Sequence, residues 1–242
     1  MTIVFTLFAP MQSWGVDGRF SIRFTGKEPS KSAIIGLISS AMGSNSQDTT
    51  NELNNLRFAV RTDWAGGIIE DYHTAGGDLN AKHYVKNKNK YKLKDASFVK
   101  KGRRQSVVTH REYLNDSMFT VAIEGDVGLL QRIVDAFKKP KWHLYLGRKS
   151  CPLGFPVVPK MVDLPLLDVL KAEPVFKCPW QNIETVKISH DSNRGEIRRD
   201  VRIGTQGNTA VYGIRFVESF NCSPASMIDL PGVSYVSNKN HY

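Results

Sequence analysis

The spacing of apolar residues predicts four strands in the first part of the chain. The stretch TIVFTLFA is apolar at nearly every position, which is typical of a central strand buried on both faces. Three later stretches have the shorter or alternating apolar runs of half-buried strands. The predicted strands are Thr2–Ala9, Leu56–Trp64, Met118–Gly125 and Lys141–Gly147.

Two stretches between these strands carry apolar residues at helical spacing. Ser30 or Ser32 can cap the first helix and Gly43 can end it, whereas Asp126 caps the second and Pro140 ends it. Their apolar faces consist of Ile34, Ile35, Leu37, Ile38, Ala41 and Met42, and of Leu129, Leu130, Ile133, Val134 and Phe137.

The order of these elements is strand, helix, strand, given twice. It predicts an α+β fold of the ferredoxin-like kind, with the helices on one face of the sheet and the other face free. Many RNA-binding domains use such an open face. Because a fold does not define a function, the function must be argued from particular sites.

The last third of the chain has a weaker pattern. It predicts a loop with a short helix in VVPKMVDLPLLDVLKAEP, and strands in IETVKIS and AVYGIRFVESF joined by a polar link. We therefore expect a ferredoxin-like domain at residues 1–155, with an insertion at about 75–112, and a small β-rich part at residues 156–242 with its own sheet.

Composition narrows the setting of the protein. The 242 residues are 41% hydrophobic, enough for a sizeable core. The apolar start stops at Pro10, so it predicts no signal peptide, and no run approaches the length of a membrane helix. Cys151, Cys178 and Cys222 are far apart and predict neither a disulfide framework nor a zinc site, which fits the reducing cytoplasm.

The positive charge of the chain is concentrated in one segment. Between Lys82 and Arg111 there are eleven Lys and Arg residues and a single acid, Asp95, so this segment carries the whole net charge of +10. Tyr84, Tyr91 and Phe98 are interspersed with the cations. Aromatic rings among cations are typical of single-stranded nucleic-acid binding, although a solvated basic loop would look similar.

The stretch HLYLGRKSCPLG leaves a predicted strand through Gly147, Arg148, Lys149 and Ser150. It can be a plain surface turn. It can also be a loop that holds an anion, because glycine allows close approach of the backbone while Arg, Lys and Ser supply donors. The stretch alone does not decide between the two.

Four motifs in order resemble a known family. QSWG follows the first strand, PSKS opens the first helix, REYLNDSMFTVA enters the third strand, and YLGRKSCPL follows the second helix. Their order and spacing are similar to those of the Cas-five proteins of CRISPR Cascade complexes, and most of all to the type I-E form. The resemblance covers about residues 1–158.

This resemblance implies an RNA-recognition-type domain with a long basic thumb and a small C-terminal part. It implies binding to the 5′ handle of CRISPR RNA and contact with the repeated backbone subunit and the large subunit. Target DNA would be reached through the complex, and no membrane is involved. The implied RNA-binding residues are Gln12, Ser13, Trp14, Ser30, Lys31, Ser32, Lys88, Lys90, Lys92, Arg103, Arg104, His110, Arg111, Tyr145, Gly147, Arg148 and Lys149.

Within this set, the start of the first helix favours an anion, and the rings of Trp14 and Tyr145 can either stack on bases or pack in the core.

Two other functions remain open from the sequence. Type I-C relatives cleave precursor RNA with Tyr, Lys and His side chains, and this chain has His110 beside Arg111 and His73 beside Tyr72. Because type I-E systems carry a separate processing nuclease, we expect a non-catalytic subunit. The second alternative is a free-standing RNA-binding protein. No metal site is expected at Asp71 and His73, which lack a third ligand, and no phosphate-binding glycine motif predicts a nucleotide cofactor.

Overall fold

The computed structural model of the chain describes residues 1–19, 21–75, 107–206 and 209–229. They form a mixed α+β fold that is mostly sheet. The strands are β1 (Thr2–Gln12), β2 (Trp14–Arg19), β3 (Ile22–Gly26), β4 (Arg57–Trp64), β5 (Gly67–Ala75), β6 (Val107–Glu124), β7 (Lys160–Val162), β8 (Val175–Phe176), β9 (Val186–Ser192), β10 (Glu196–Gln206), β11 (Thr209–Cys222) and β12 (Met227–Ile228). The helices are α1 (Lys31–Met42), α2 (Gln47–Asn54), α3 (Val127–Lys138) and α4 (Leu166–Ala172).

The centre of the sheet has the antiparallel strand order β4-β6-β1-β7. Phe5, Val121 and Val60 lie in one row across β1, β6 and β4, and all three are buried beneath the helices. The predicted central strand is therefore confirmed. Its neighbours along the chain are reached through helices, which leaves room for a strand between them.

Helices α1 and α3 begin and end where their sequences predict. The Ser30 side chain accepts a hydrogen bond from the Ala33 N–H, and the Asp126 side chain accepts one from Leu129. Gly43 ends α1 in the left-handed conformation, with φ of 69°. Both helices lay their predicted apolar faces on the same side of the sheet.

The second face of the sheet is covered, so the predicted open face is wrong. Helix α4 packs its side chains Leu166, Val169 and Leu170 against Val4 and Ala59. A further apolar cluster around Trp64 continues this layer, and Val175 and Ile183 of the C-terminal part join it. The short helix was predicted, but its place over the sheet depends on contacts between distant parts of the chain.

Arg61 fastens α4 to this second face. Its Nε lies 2.5 Å from Asp63 Oδ1, and its terminal nitrogens donate to the carbonyl oxygens of Leu170, Glu173 and Pro174 at the end of α4. A cation at a helix C-terminus also interacts favourably with the helix dipole. Burial raises the pKa of Asp63 despite the neighbouring Arg61.

The predicted closing strand at Lys141–Gly147 is wrong. Residues from Lys141 to Gly154, here called the post-α3 loop, form no ladder with the sheet, and β7 takes the place beside β1. The loop's backbone groups are used elsewhere: Trp142 N–H donates to Ser40 at the end of α1, and Leu146 C=O accepts from Ser13. Buried Leu146 explains the strand-like apolar pattern, because packing into the core does not require strand pairing.

The C-terminal strands extend the main sheet instead of forming a sheet of their own. Strand β9 pairs with β4, and β11 and β10 follow it in order. The predicted strands near β9 and β11 are confirmed, but the predicted polar link between them contains β10. β10 was missed because few of its side chains are buried, so its sequence lacks a regular apolar alternation.

The first half of β6 leaves the central sheet and pairs with β5, which gives a two-stranded β5–β6 ribbon. β3 lines its other side, with Ile22 opposite His110. The ribbon ends with the pair Ala75 and Val107, so the predicted insertion joins two paired strands. Most of the basic segment, from Lys82 to Arg104, lies outside the described residues.

Candidate nucleic-acid interface

A groove of about 440 Å³ lies along the exposed side of α1. One wall is the post-α3 loop with Tyr145, Gly147 and Arg148, and the lining also includes Arg202 of β10 and Tyr212 of β11. We call it the α1 groove. Its volume lies within the range of about 300–1,000 Å³ typical of ligand sites, so it can hold a nucleotide-sized group.

The side of α1 that faces the groove carries small residues. Ser32, Gly36 and Ser40 recur every fourth position, opposite the apolar side chains that face the core. A Cβ at Gly36 would meet nothing within 4 Å, so this glycine leaves open space instead of allowing tight packing. The small side chains give the groove its depth and supply hydroxyl donors and acceptors.

The start of α1 is already occupied by a carboxylate of the chain itself. The Lys31 N–H donates to Asp200 Oδ2 over 2.9 Å, and Ser30 caps the Ala33 N–H. The predicted use of this helix start for an RNA phosphate therefore has to share it with Asp200. Ser30 and Ser32 still line the groove with their side chains.

The Lys31 side chain is buried and points away from this role. Its Nζ donates to Leu56 O over 2.7 Å and lies 3.0 Å from Asp191 Oδ2. Arg215 completes the network by bridging Asp191 and Asp200. The lysine of the PSKS motif thus ties α1 to the C-terminal strands, and its ammonium group has no surface to offer RNA in this conformation.

Gly147 is needed for a close approach within the protein. It has φ of 91°, and a Cβ there would lie 1.6 Å from the Ser13 carbonyl oxygen. Its own N–H donates to Tyr145 O, over 3.2 Å. The glycine thus seats the post-α3 loop on the end of β1, which differs from its predicted role of bringing free amides to a ligand.

The QSWG motif forms the base of this seat. Gln12, Ser13 and Trp14 are 0%, 3% and 1% exposed. The Trp14 ring packs edge-on against Phe119, with 6.3 Å between the ring centroids. Of the two alternatives for Trp14, the structure has core packing, and the three side chains act on the groove through the loop they support.

Arg148 is held in place at the groove wall. Its terminal nitrogens donate to Glu112 O and Arg23 O, each over 3.2 Å, and its guanidinium lies 4.6 Å from the centroid of the Tyr113 ring. Burial alone would raise the pKa of Tyr113, but hydrogen bonds with Arg148 and Ser150 and the nearby charge lower it. An arginine positioned in this way keeps further N–H groups for an anion.

The remaining predicted residues lie further out. Lys149 is exposed, and no other described residue forms an ion pair with it. His110 Nδ1 contacts Glu70 on the β5–β6 ribbon, and Arg111 Nε donates to Thr109. Lys88, Lys90, Lys92, Arg103 and Arg104 lie outside the described residues.

Comparison with known proteins decides the family. The model of the family described as CRISPR-associated protein (Cas_Cas5) matches residues 2–218. The chain belongs to the Cas5 family. It is 31% identical over 161 residues to the CRISPR system Cascade subunit CasD of Escherichia coli strain K12, an alignment that covers 64% of this chain and 68% of that protein.

Two solved structures resemble this Cas5 chain along nearly its whole length. One belongs to a CRISPR RNA-guided surveillance complex, with a TM-score of 0.76 and 27% identity over 97% of this chain and 96% of the other. The second is described as a Cas protein, with a TM-score of 0.69 and 26% identity over 96% and 100% of the two chains. The family resemblance predicted from four motifs is confirmed.

The structure adds three groove residues that the sequence analysis of this Cas5 protein missed. They are Trp142, Arg202 and Tyr212. Trp142 stands beside a lysine in a stretch predicted as a strand, and Arg202 ends the RRDVR run of the polar link. An exposed aromatic or arginine in such a stretch was the available signal. Only the tertiary fold shows that they share one groove.

Other kinds of site find little support in the described part of this Cas5 chain. Asp71 Oδ2 lies 3.8 Å from His73 Nδ1, but the described residues contain no group of three or more His, Cys, Asp or Glu suited to a metal. Among the same residues, no helix is long and apolar enough to span a membrane.

Proposed function

We propose that this chain is a non-catalytic subunit of a type I-E-like CRISPR Cascade complex and holds the 5′ handle of CRISPR RNA in the α1 groove. The observation that carries the proposal is the convergence of Ser30, Ser32, Tyr145, Gly147 and Arg148 on this one groove from two distant stretches of chain. Hydroxyls, an aromatic ring and a positioned arginine suit the exposed bases and phosphates of a single strand.

The strand order supports a ferredoxin-like core for this proposal. Strands β1, β4, β6 and β7 stand in the order β4-β6-β1-β7, with α1 between β1 and β4 and α3 between β6 and β7. This is the split β-α-β arrangement. Because the second face of the sheet is covered by α4, the RNA would lie on the helix side, along α1, instead of on an open sheet.

The β5–β6 ribbon supports contact with neighbouring subunits. Ile22 and Tyr72 flank His110 in one row across the ribbon and are 43% and 64% exposed. Phe24 and Ile68 lie two and four residues along the same face and are also exposed. Apolar side chains grouped on one exposed face favour a subunit of an assembly over a free-standing RNA-binding protein.

The proposal is tested by co-purification from cells that express the neighbouring genes and a CRISPR array. The expected result is a multi-subunit particle with uniform RNAs that share one repeat-derived 5′ end. Heterogeneous RNA on an isolated monomer would contradict the proposal and favour a general RNA-binding protein.

The basic insertion has its own test. Charge reversal of Lys88, Lys90 and Lys92 together should flatten the dependence of RNA affinity on salt by up to three phosphate contacts, each about 0.7 in the logarithmic slope. Reversal of three lysines outside the insertion, Lys138, Lys139 and Lys141, is the matched control. An unchanged slope in the insertion variant would show that these lysines do not contact phosphate.

The absence of nuclease activity is also part of the proposal. It is supported by His110, whose Nδ1 contacts Glu70 and whose ring packs edge-on against Tyr72 with 5.3 Å between centroids. Incubation of the purified chain with repeat RNA and a chelator should leave the RNA intact. Cleavage that disappears in His110→Ala would overturn this part of the proposal and show a metal-independent endoribonuclease.

A further inference from the structure

The α1 groove has a second wall, formed by the β10–β11 hairpin. Arg202 and Tyr212 stand directly opposite each other across this hairpin and both line the groove, together with Tyr145 and Arg148 of the post-α3 loop. Opposed residues of an antiparallel pair lie on the same face of the sheet. Each wall of the groove therefore presents one arginine and one tyrosine.

The hairpin is fixed to the helices that bear the groove floor. Asn54 of α2 donates to Arg202 O over 2.7 Å. Two residues before Arg202, Asp200 accepts from the Lys31 N–H at the start of α1 and from Arg215. These contacts hold the main chain at Arg202, so its side chain starts from a defined position beside α1.

The side chains themselves are available to a ligand. Arg202 and Tyr212 are both exposed, Tyr212 by 41%. Among the described residues, no hydrogen bond or ion pair engages the Arg202 guanidinium. The nearest carboxylate in sequence, Asp200, is already bound by Arg215 through two nitrogens. The arginine therefore keeps its positive charge for an external anion.

We infer that Arg202 and Tyr212 form a second contact site for the RNA strand, which the two walls hold between them. Arg202 binds a phosphate, and the Tyr212 ring stacks on a base, as single-stranded nucleic acids are commonly bound. This inference rests on the proposed function and extends it to the C-terminal strands. A protein segment would use the same groove with apolar side chains, but the lining of hydroxyls and two arginines favours a polyanion.

The test measures binding of the full-length chain to a fluorescent RNA of about eight nucleotides, copied from the 5′ end of the co-purified RNA, by anisotropy at several salt concentrations. Arg202→Gln should weaken binding roughly tenfold and lower the salt slope by about 0.7. Arg199→Gln is the matched control, because Arg199 is exposed on the same strand but does not line the groove. It should change the affinity by less than about threefold.

Tyrosine 212 is tested by a pair of variants that separates the ring from the hydroxyl. Tyr212→Ala should weaken binding by roughly 5- to 100-fold, whereas Tyr212→Phe should retain most of the affinity. Photo-cross-linking of 4-thiouridine RNA should label the peptide from Thr209 to Cys222. This second measurement does not depend on the stability of any variant.

The outcomes distinguish this inference from the proposed function. Weaker binding in Arg148→Ala together with unchanged binding in Arg202→Gln and Tyr212→Ala would overturn the inference and leave handle binding intact. Unchanged binding in all three variants would overturn both. Equal losses in Arg202→Gln and Arg199→Gln would also overturn it, because they would show a general charge effect.

Discussion

Arg61 and Arg148 both donate to main-chain carbonyl oxygens, but they do different work. Arg61 is 1% exposed and spends its nitrogens on Asp63, Thr120 and the end of α4. Arg148 is half-buried, lies on the Tyr113 ring and donates to two carbonyls at the groove edge. The first arginine is fully consumed by the fold, whereas the second is positioned by the fold and still open to a ligand.

The difference teaches how to separate structural from functional cations in a basic protein. The sequence motifs single out Lys31 and Arg148 alike, but only the unspent donors of a side chain can bind RNA. Removing Arg61 should therefore cost folding stability, and removing Arg148 should cost binding.

The largest expected effect is on Arg61. Arg61→Leu leaves the Asp63 carboxylate buried without its cation, so the free energy of unfolding should fall by about 3–5 kcal/mol in urea titrations. The double variant Arg61→Leu, Asp63→Leu should recover part of this loss. A loss below about 1 kcal/mol in the single variant would show that Arg61 does not fasten α4.

Gly147→Ala should come next and affect both properties. The added Cβ would collide with the Ser13 carbonyl, and the positive φ is unfavourable for alanine, so we expect about 1–3 kcal/mol of lost stability and weaker RNA binding. Gly36→Ala is the control, because its Cβ meets nothing and alanine favours a helix by about 0.5–1 kcal/mol. Equal stability of the two variants would contradict the close approach at Gly147.

Arg148→Ala should separate binding from stability. We expect a change in unfolding free energy below about 1 kcal/mol and roughly tenfold weaker binding of the handle RNA at fixed salt. Arg148→Lys keeps the charge but loses the planar fork, so it should restore only part of the affinity. Lys149→Ala should have a smaller effect, because no described contact positions Lys149. Full affinity in Arg148→Ala would contradict its role.

The smallest expected effect is the response of the Asp200 network to acid. Burial would raise the pKa of Asp200, but the hydrogen bonds and charge of Arg215 lower it below its ordinary value. Asp200 therefore stabilises the fold fully above its unfolded pKa of about 4, and this stabilisation disappears as the pH falls through the lowered pKa. In urea titrations, the difference between the wild type and Asp200→Asn should shrink toward low pH. A difference that grows there would contradict this sign.

The parts of the fold that the sequence predicts are those with local signals. Helices α1 and α3 have caps and apolar spacing within a few residues, and their bounds agree with the prediction. The post-α3 loop misled the analysis, because Leu146 is buried like a strand residue while the edge beside β1 belongs to β7. Strand pairing over such separations leaves no local pattern.

The candidate site follows the same rule. Motifs located Ser30, Ser32, Tyr145 and Arg148, which do line the groove. They could not show that Lys31 pairs with Asp191, since those residues are distant in sequence and meet only in the folded sheet. Arg202 and Tyr212 were missed for the same physical reason, as their approach to α1 depends on Asp200 and Asn54.

The pairing of Ala75 with Val107 has a consequence for the evolution of the insertion. Because the ribbon holds these two residues together, any segment that joins them adds only a loop-closure entropy to folding. This cost grows logarithmically, by about 0.6 kcal/mol for each doubling of length. The insertion can thus be shortened, lengthened or exchanged between relatives at little cost to the core, so its reach can adapt to a neighbouring subunit while the groove stays unchanged.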